Sequence, residues 1–521
     1  MGITIKSRSM SSLTKQQHGW LSFQGLDVRM VASGRCHIVV VTQSNQVYSC
    51  WEPNTDELAD SRLPSTRGAS DRDIEAVLGR SVSVDNGAGY VQDTALHPVL
   101  VKIDGMDALE SPIVKVVCSD SATFLLTKAG GLWGWGCFED LNGNKVGLLH
   151  RESAHRPIQI CTQSQRIKDV VCGKNHILIL NAASDVISWG SNEYGQLARV
   201  RTPSHSPLIG GSEEAAFDLS PHFVENLPVN ILGIGANKTG SFAWDQDQLY
   251  AWGDNTFGQL GYESKMSSTS RWKQSITSTG TSAGRDIVGV PRSVALHWKG
   301  RSIKQVLGGL RHTVILSISG LTITMGDDEF GQLGATTQST KSAPTLGSRS
   351  ASPLHPNHSH TGHSPLSSPS SSFMANFEGQ MSSSSNMSDV SGDGISPLGS
   401  PRLRSRRLNP TLVRVGPRVK EISCGDFHTV ICCENGQMYA WGQGFDSIHA
   451  IHNVYSGSQQ QQQQHSHQQR GAVASLGALD GGSMSPRTVS ADSSLPRDKA
   501  RKVVSVSTMR HGVSLALVSS A

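Results

Sequence analysis

A degenerate repeat recurs along the chain and constrains the fold more than any other feature. Its clearest copy runs from Cys172-Gly173 through His176 to Trp189, and then to a Gly-Gln-Leu triplet that starts at Gly195. In six copies the second residue of the Cys-Gly pair lies about 16 or 17 positions before the Trp, which is replaced by Met in one copy. A constant period of this kind indicates an architecture of equivalent stacked units. The pairs that open the six copies are Ser33-Gly34, Cys118-Ser119, Cys172-Gly173, Ile234-Gly235, Gly308-Gly309 and Cys424-Gly425.

Each unit predicts four short strands. Val419 to Cys424, His428 to Cys433 and Gln437 to Gly442 are rich in β-branched and aromatic residues and are separated by Gly-containing turns. A fourth strand is expected to start at a proline, because the first residue of a strand is one of the few sheet positions that tolerate proline. These prolines are Pro98, Pro157, Pro221, Pro291 and Pro410. Four antiparallel strands form one blade, and a ring of blades leaves only short edges.

The repeats resemble the regulator of chromosome condensation repeat family, whose members fold as seven-bladed β-propellers. The resemblance implies an all-β, seven-bladed propeller of four-stranded antiparallel blades, as a single domain over residues 1–521. A seventh copy, Val503 to Val506 with His511, stops at Ala521 before any Trp-Gly strand. We therefore expect the N-terminal runs Ile3 to Ile5 and Trp20 to Phe23 to complete the last blade. The polar segment between these runs leaves a disordered tail as the alternative.

Five long inserts separate a Trp-Gly strand from the strand that follows it. They span 52–96, 201–220, 262–290, 335–408 and 443–499. Inserts at one position of the repeat crowd one face, which commonly is the binding side. The inserts 335–408 and 443–499 are Ser/Pro-rich and Gln/His/Ser-rich, and are expected to be disordered. In the first insert, Asp71 to Leu78 could form a short helix that ends at Gly79.

The inserts carry two further patterns with open interpretations. Ser-Pro pairs at Ser352, Ser364, Ser368, Ser396 and Ser400 are candidate sites of proline-directed phosphorylation, or ordinary linker composition. A basic run, made of Arg402, Arg404, Arg406 and Arg407, is either a nuclear import patch or a solvated linker.

Composition excludes several classes. The nine cysteines show no disulfide spacing, which favours a reducing compartment. No apolar run reaches transmembrane length, so we expect no membrane association and a cytoplasmic or nuclear location. A net charge of +4 over 521 residues is too small to indicate nucleic-acid binding by itself. The remaining expectation is a monomer that binds protein partners.

Thiol–imidazole pairs such as Cys172 with His176 could suggest catalysis or a metal site. They recur once per unit, however, so they lie in separate blades and are interpreted as packing residues. The sequence contains no phosphate-binding loop, no zinc-protease motif and no nucleophile elbow. We expect no catalytic residue, no metal and no cofactor.

Two functions remain. The favoured one is a protein-interaction scaffold that binds partners on the insert-bearing face, as the resemblance to divergent relatives such as the fungal alpha-tubulin suppressor proteins implies. The alternative is guanine-nucleotide exchange on a Ran-like or other small GTPase, by tighter binding of the nucleotide-free state. Candidate partner-binding residues fill the turns between the first and second strands: Arg35, Asp120, Lys174, Asn175, Asn237, Lys238, Arg311, Asp426 and Arg510.

The nuclear exchangers of the family carry a signature of the form Gly-x-Asn-Asp/Glu-x-x-Ala/Val-Leu-Gly-Arg-x-Thr. The best match recognised in the sequence runs from Gly190 to Arg199, with Gln196 in place of Ala or Val and Ala198 in place of Gly. The basic tail that helps those proteins attach to chromatin has no counterpart in Met1 to Leu26. Both departures weigh against exchange on Ran.

Overall fold

The computed structural model describes most of the repeat region. The described residues are 26–51, 71–80, 83–85, 90–92, 101–106, 109, 111–139, 145–149, 153–161, 165–199, 217–264, 285–296, 302–334, 410–442, 447–453, 483–489, 501–508 and 513–520. The chain divides into two compact units, one of residues 1–336 with 404–521 and one of residues 337–403. The second unit, and the expected disordered insert 335–408 with it, lies outside the described residues.

The described part is an all-β structure, as expected, and its repeats form successive sheets of four strands. The first sheet consists of β1 Val28–Ser33, β2 His37–Thr42, β3 Val47–Trp51 and β6 Val101–Lys102. The second sheet consists of β7 Ile113–Cys118, β8 Ala122–Thr127, β9 Leu132–Gly136 and β12 Ala154–Cys161. The third sheet consists of β13 Ile167–Cys172, β14 His176–Asn181, β15 Val186–Ser191 and β16 Phe217–Phe223. In each, neighbouring strands are antiparallel and follow chain order.

The fourth and fifth sheets form one eight-stranded sheet, because a parallel pairing of Ala236 with Leu307 joins their first strands. The fourth consists of β17 Gly233–Ala236, β18 Gly240–Trp244, β19 Leu249–Asp254 and β20 Ile287–Val294. The fifth consists of β21 Ile303–Gly308, β22 His312–Ser317, β23 Thr322–Gly326 and β24 Thr411–Val413.

The C-terminal part of the chain forms two more sheets. The sixth consists of β25 Val419–Cys424, β26 His428–Cys433, β27 Met438–Gly442 and β29 Ser483–Val489. The seventh has three strands, in the order β28 Ser447–Asn453, β31 Val513–Ser520 and β30 Arg501–Thr508. The remaining elements are α1 Asp71–Leu78, the pair β4 Ser83–Asp85 with β5 Tyr90–Gln92, and the pair β10 Phe138–Glu139 with β11 Lys145–Val146. The helix expected at 71–78 is thus confirmed.

The hydrophobic core lies between neighbouring sheets. The second strands β2, β8, β22 and β26 are buried along their whole length, because both of their faces pack against other strands. Four repeat tryptophans are also fully buried there: Trp135, Trp189, Trp252 and Trp441. Each indole N–H donates to a backbone carbonyl of the preceding repeat, for example Trp252 to Gln196 and Trp441 to Gln332, both at 2.9 Å. The Trp of the motif therefore fixes one sheet to the next.

The expected starts of the fourth strands need correction. Pro157, Pro221 and Pro291 lie inside β12, β16 and β20, which begin three or four residues earlier. In β16 the pairing shifts between Asp218 and His222, so that Pro221 lies in a bulge. A bulge on an outer strand tolerates proline because the missing N–H breaks no regular ladder bond. The residues before a proline are themselves biased towards extended conformations, which lets the strand start earlier.

Two other expectations also change, and a third is not tested. The insert 443–499 contains β28 and β29, and β29 supplies the fourth strand of the sixth sheet. In the fourth repeat the counterpart of the Cys-Gly pair is Ala236-Asn237 and not Ile234-Gly235, because β17 ends at Ala236. The expected N-terminal closing strands, Ile3 to Ile5 and Trp20 to Phe23, lie outside the described residues.

Candidate protein-binding face

The turns between first and second strands and the loops between third and fourth strands lie on one side of the sheets, because successive strands run in opposite directions. We call this side the insert face and the other side the opposite face. The insert face carries α1 and the described residues at which the inserts begin and end. It also carries the turns that contain eight of the nine sequence-predicted site residues, and the ninth, Arg510, lies outside the described residues.

A cavity of about 580 Å³ reaches the insert face, where Gly173, Asn237 and Lys238 are among its lining residues. The cavity is lined by the first strands of the first six sheets, β1, β7, β13, β17, β21 and β25, and by β30 at the edge of the seventh sheet. Side chains of the first and sixth sheets also reach the seventh: Ser33 Oγ lies 2.8 Å from Ser507 Oγ, and Ser423 Oγ lies 2.9 Å from Thr508 Oγ1. The first strands of the repeats therefore share one channel.

Backbone hydrogen bonds link successive turns of the insert face. The N–H of Arg35 donates to the carbonyl of Asp120 (3.0 Å), and the N–H of Asp120 to that of Lys174 (3.3 Å). The N–H of Lys174 then donates to the carbonyl of Lys238 (2.9 Å), and the N–H of Lys238 to that of Gly309 (3.1 Å). These bonds hold the predicted site residues in fixed positions along a rim.

Along the rim, the predicted residues differ in burial according to their charge. Four of them, Asp120, Asn175, Asn237 and Asp426, are buried, with relative exposures of 2%, 7%, 1% and 2%. The half-buried residues that remain are all basic: Arg35, Lys174, Lys238 and Arg311. We call these four residues the basic rim.

The buried residues support the basic rim. Asp120 pairs with Lys238 through Oδ1 and Nζ at 2.6 Å, a contact between the second and fourth sheets. Arg35 pairs with Glu139 at 3.3 Å, and the Asn175 side-chain amide bonds to the backbone of the same Glu139. The Asp120 carboxylate therefore acts as a counter-ion within the rim and does not face a partner.

Aromatic side chains that sequence reasoning missed extend this surface. The guanidinium of Arg311 lies 4.4 Å from the Phe257 ring and 5.5 Å from the Phe427 ring, and it pairs with Glu329 at 3.3 Å. The rings of Phe330 and Phe427 make an edge contact at 5.0 Å. All three phenylalanines are half-buried, and we call them, with Arg311, the aromatic shelf. A sequence signal was present, since an aromatic residue precedes the Gly-Gln-Leu triplet in three repeats.

The cysteines and histidines of the repeat have the properties of structural residues. All nine cysteines are free thiols, and burial raises the pKa of Cys118 and of Cys424 to about 12. Burial also lowers the pKa of His37 to about 4 and that of His176 to about 3. At neutral pH the thiols are therefore protonated and the imidazoles neutral, which suits neither a nucleophile nor a general acid.

The structure reveals a second match to the exchanger signature, at the end of α1. Val77-Leu78-Gly79-Arg80 reproduces its Ala/Val-Leu-Gly-Arg part. The Ser49 hydroxyl donates to the Leu78 carbonyl (2.8 Å), as the Ser188 hydroxyl donates to that of Leu197 (3.0 Å). The buried Arg80 guanidinium donates to the Ser49 carbonyl (3.1 Å). The end of α1 thus replaces the Gly-Gln-Leu segment of the first repeat. In the sequence the match is not aligned with the other repeats, because α1 stands where they have a short loop.

Comparison with known families agrees with this geometry. A model described as the RCC1-like domain matches residues 5–365, and a model of the regulator of chromosome condensation (RCC1) repeat matches residues 419–447. The chain belongs to the RCC1-like domain family. The expected resemblance is therefore confirmed.

Several members of the RCC1-like domain family are similar in sequence over most of this chain. The ultraviolet-B receptor UVR8 of Arabidopsis thaliana is 26% identical over 71% of this chain and 73% of its own length. The regulator of chromosome condensation of Mus musculus is 28% identical over 62% of this chain and 66% of its own length, just under two thirds. The E3 ubiquitin-protein ligase HERC2 of Mus musculus is 24% identical over 60% of this chain but only 5% of its own length.

Solved structures show the same fold. Prp20p of Saccharomyces cerevisiae, described with its binding properties to Gsp1p and histones, has a TM-score of 0.57 at 18% identity, over 93% of this chain and 81% of that chain. Human WBSCR16 has a TM-score of 0.50 at 14% identity, over 98% of this chain and 93% of that chain. In the part of the chain that the structure describes, no helix is long and apolar enough to span a membrane.

Proposed function

We propose that this RCC1-like chain is a protein-interaction platform that binds a partner protein on the insert face, through the basic rim and the aromatic shelf. The observation that carries the proposal is the stack of Arg311 between Phe257 and Phe427, half-buried on the face that carries the inserts. Aromatic and arginine side chains are enriched among the residues that dominate interface energies. Because Arg35, Lys238 and Arg311 already pair with carboxylates of this chain, an acidic group of the partner would be bound mainly by Lys174.

A matched pair of substitutions tests this proposal. Lys174→Glu reverses a charge on the insert face, and Lys128→Glu reverses one on an exposed lysine of the β8–β9 hairpin on the opposite face. Each variant is compared with the unchanged chain by affinity capture from cell extract and quantitative mass spectrometry. Proteins that Lys174→Glu or Phe330→Ala loses and Lys128→Glu retains would support the platform. Equal recovery by all variants, or losses confined to Lys128→Glu, would contradict it.

A second candidate function is guanine-nucleotide exchange on a small GTPase. Its support is the similarity to the regulators of chromosome condensation, together with the partial signature at Val77 to Arg80. An exchanger needs no bond chemistry, because it acts by stabilising the nucleotide-free GTPase. Release of fluorescent GDP from Ran and from other small GTPases, at substoichiometric amounts of this protein, distinguishes the two functions. Acceleration for any GTPase would establish exchange, and no acceleration with partner capture intact would leave the platform.

We also propose that the seven strands that line the cavity belong to seven blades. The seventh sheet would be the last blade, completed by residues outside the described part, of which the N-terminal runs at 3–5 and 20–23 are the candidates. Either function is consistent with a nuclear or cytoplasmic monomer.

A further inference from the structure

Ser220 lies at an unusually accessible position for a residue within a strand. It is an exposed residue of β16, the outer strand of the third sheet, and it is followed by the exposed Pro221. The pairing of β16 with β15 shifts between Asp218 and His222, so Ser220 lies in the bulge, outside the regular ladder. Its N–H donates to Oδ1 of Asp218, two residues earlier, at 3.1 Å. The dipeptide is thus extended, solvent-exposed and on an edge strand.

The hydroxyl of Ser220 makes no hydrogen bond within the described part of the chain. A second Ser-Pro dipeptide, Ser111-Pro112, is instead held by hydrogen bonds. The N–H of Ala129 donates to Ser111 Oγ (3.0 Å), and the N–H of Lys128 donates to the Pro112 carbonyl (2.8 Å). Ser111 is also half-buried. A kinase that reads Ser-Pro in an extended peptide can therefore engage Ser220 in the folded protein, while engaging Ser111 requires local unfolding.

Arg199 lies beside Ser220 and could bind a phosphate group attached to it. The Arg199 guanidinium donates to the Asp218 carboxylate, to the Ser188 carbonyl and, at 3.4 Å, to the Ser220 carbonyl. Arg199 and Asp218 flank residues 200–216, which contain most of the insert that the sequence places at 201–220, so their ion pair closes the base of that insert. Arginine forms strong charge-assisted hydrogen bonds with phosphate oxygens.

We propose that Ser220 is a phosphorylation site for proline-directed protein kinases, with Arg199 as the residue that binds the phosphate. In the reaction, the Ser220 hydroxyl oxygen bonds to the γ-phosphorus of ATP as the bond to the ADP oxygen breaks, and the hydroxyl proton passes to the kinase base. The added dianion competes with Asp218 for Arg199 and so changes the ion pair at the base of the insert. Phosphorylation would thereby act on the insert face, whichever partner binds there.

Site-resolved labelling of the folded full-length chain tests the accessibility step. A purified cyclin-dependent kinase and ATP are added, and occupancy at Ser220 and Ser111 is followed by mass spectrometry. We expect Ser220 to be labelled about tenfold faster than Ser111 or more in the native chain. In a tryptic digest of the same chain, both sites should be labelled at comparable rates. Equal native rates, or labelling of Ser220 only after digestion, would overturn the proposal.

The role of Arg199 has its own readout. Phosphoserine is installed at position 220 by codon suppression, and its second pKa is measured by phosphorus NMR in three chains. Arg199→Gln should raise this pKa relative to the unchanged sequence, because a cation stabilises the dianion. Arg156→Gln, which removes an exposed arginine of β12 on the neighbouring sheet, should leave it unchanged. A pKa that does not respond to Arg199→Gln would overturn the assignment of the phosphate partner.

Discussion

Three buried histidines of the repeat, His37, His176 and His312, each bond through Nε2 to a hydroxyl group of the next sheet. His176 Nε2 lies 2.9 Å from Ser241 Oγ, and His312 Nε2 lies 3.1 Å from Thr429 Oγ1. The Ser241 hydroxyl donates its own proton to the Gln196 carbonyl at 2.8 Å, so the imidazole must be the donor in the first bond. This relay joins the His of one repeat, the Ser or Thr of the next and the Gln-Leu loop, which explains why these residue types recur together.

Removing the hydroxyl should take away the hydrogen bond of one buried imidazole and one of the two hydrogen bonds that the Gln332 carbonyl accepts. We expect Thr429→Val to lower the free energy of unfolding by about 1–3 kcal/mol, because both His312 Nε2 and the Gln332 carbonyl lose a hydrogen bond. Urea unfolding followed by tryptophan fluorescence measures the change. Ser302→Ala, at an exposed position, is the control and should change stability by less than about 0.5 kcal/mol. A Thr429→Val variant as stable as this control would contradict the relay.

The same histidines should make stability pH-dependent. Burial lowers the folded-state pKa of His37 to about 4 and of His176 and His312 to about 3, below the unfolded value near 6.5. As the pH falls below 6.5, the unfolded chain takes up protons that the folded chain does not. Stability should therefore fall between pH 6.5 and about 4, by up to about 1.4 kcal/mol per pH unit for each histidine.

Urea unfolding at several pH values between 7 and 4.5 tests this dependence. His176→Asn should flatten the slope by about one proton, since one of the three groups no longer titrates. A slope that is unaffected by this substitution would show that other groups control the acid response.

At the scale of the strand, the glycine after each repeat Trp is required by the hairpin geometry. Gly442 ends β27 with φ +105°, and a Cβ there would lie 2.3 Å from the Phe427 carbonyl oxygen. Gly442→Ala should cost about 2 kcal/mol or more, because the backbone must shift to relieve both the clash and the torsion. Gly416→Ala is the matched control, since no atom lies within 4 Å of its Cβ, and it should stay within about 1 kcal/mol of the unchanged chain. Thermal and urea unfolding of the two variants should therefore differ clearly.

The strands show which features of the fold a local sequence pattern can predict. The first three strands of each repeat could be predicted, because their alternation and Gly-containing turns are local signals. The starts of β12, β16 and β20 could not, because they depend on bulges that form only against the third strand. The mapping of the turns to one face was likewise available from the sequence. Which of the turn residues are buried, such as Asp120, and which are half-buried, such as Lys174, depends on contacts between different repeats. No local sequence pattern contains this information.

At the scale of the whole chain, we expect closure of the ring to depend on the C-terminal strands. β30 lines the cavity between the sixth and first sheets and bonds to both, through Thr508 and Ser507. Deletion of 501–521 removes β30 and β31, so we expect a loss of the cooperative thermal transition in calorimetry. Deletion of 337–403, which contributes no strand to the seven described sheets, is the control and should retain that transition. A cooperative transition in the C-terminal deletion would show that the first six sheets are stable without closure.

Hydrogen–deuterium exchange of the chain with and without its captured partner tests most directly whether the insert face is the binding face. We expect partner-dependent protection in the turns at 33–37, 173–175, 237–239, 309–311 and 425–427, around the basic rim and the aromatic shelf. The hairpins of the opposite face, at 127–131, 181–185, 244–248 and 433–437, should exchange at unchanged rates. Protection confined to those hairpins would contradict the proposed binding face.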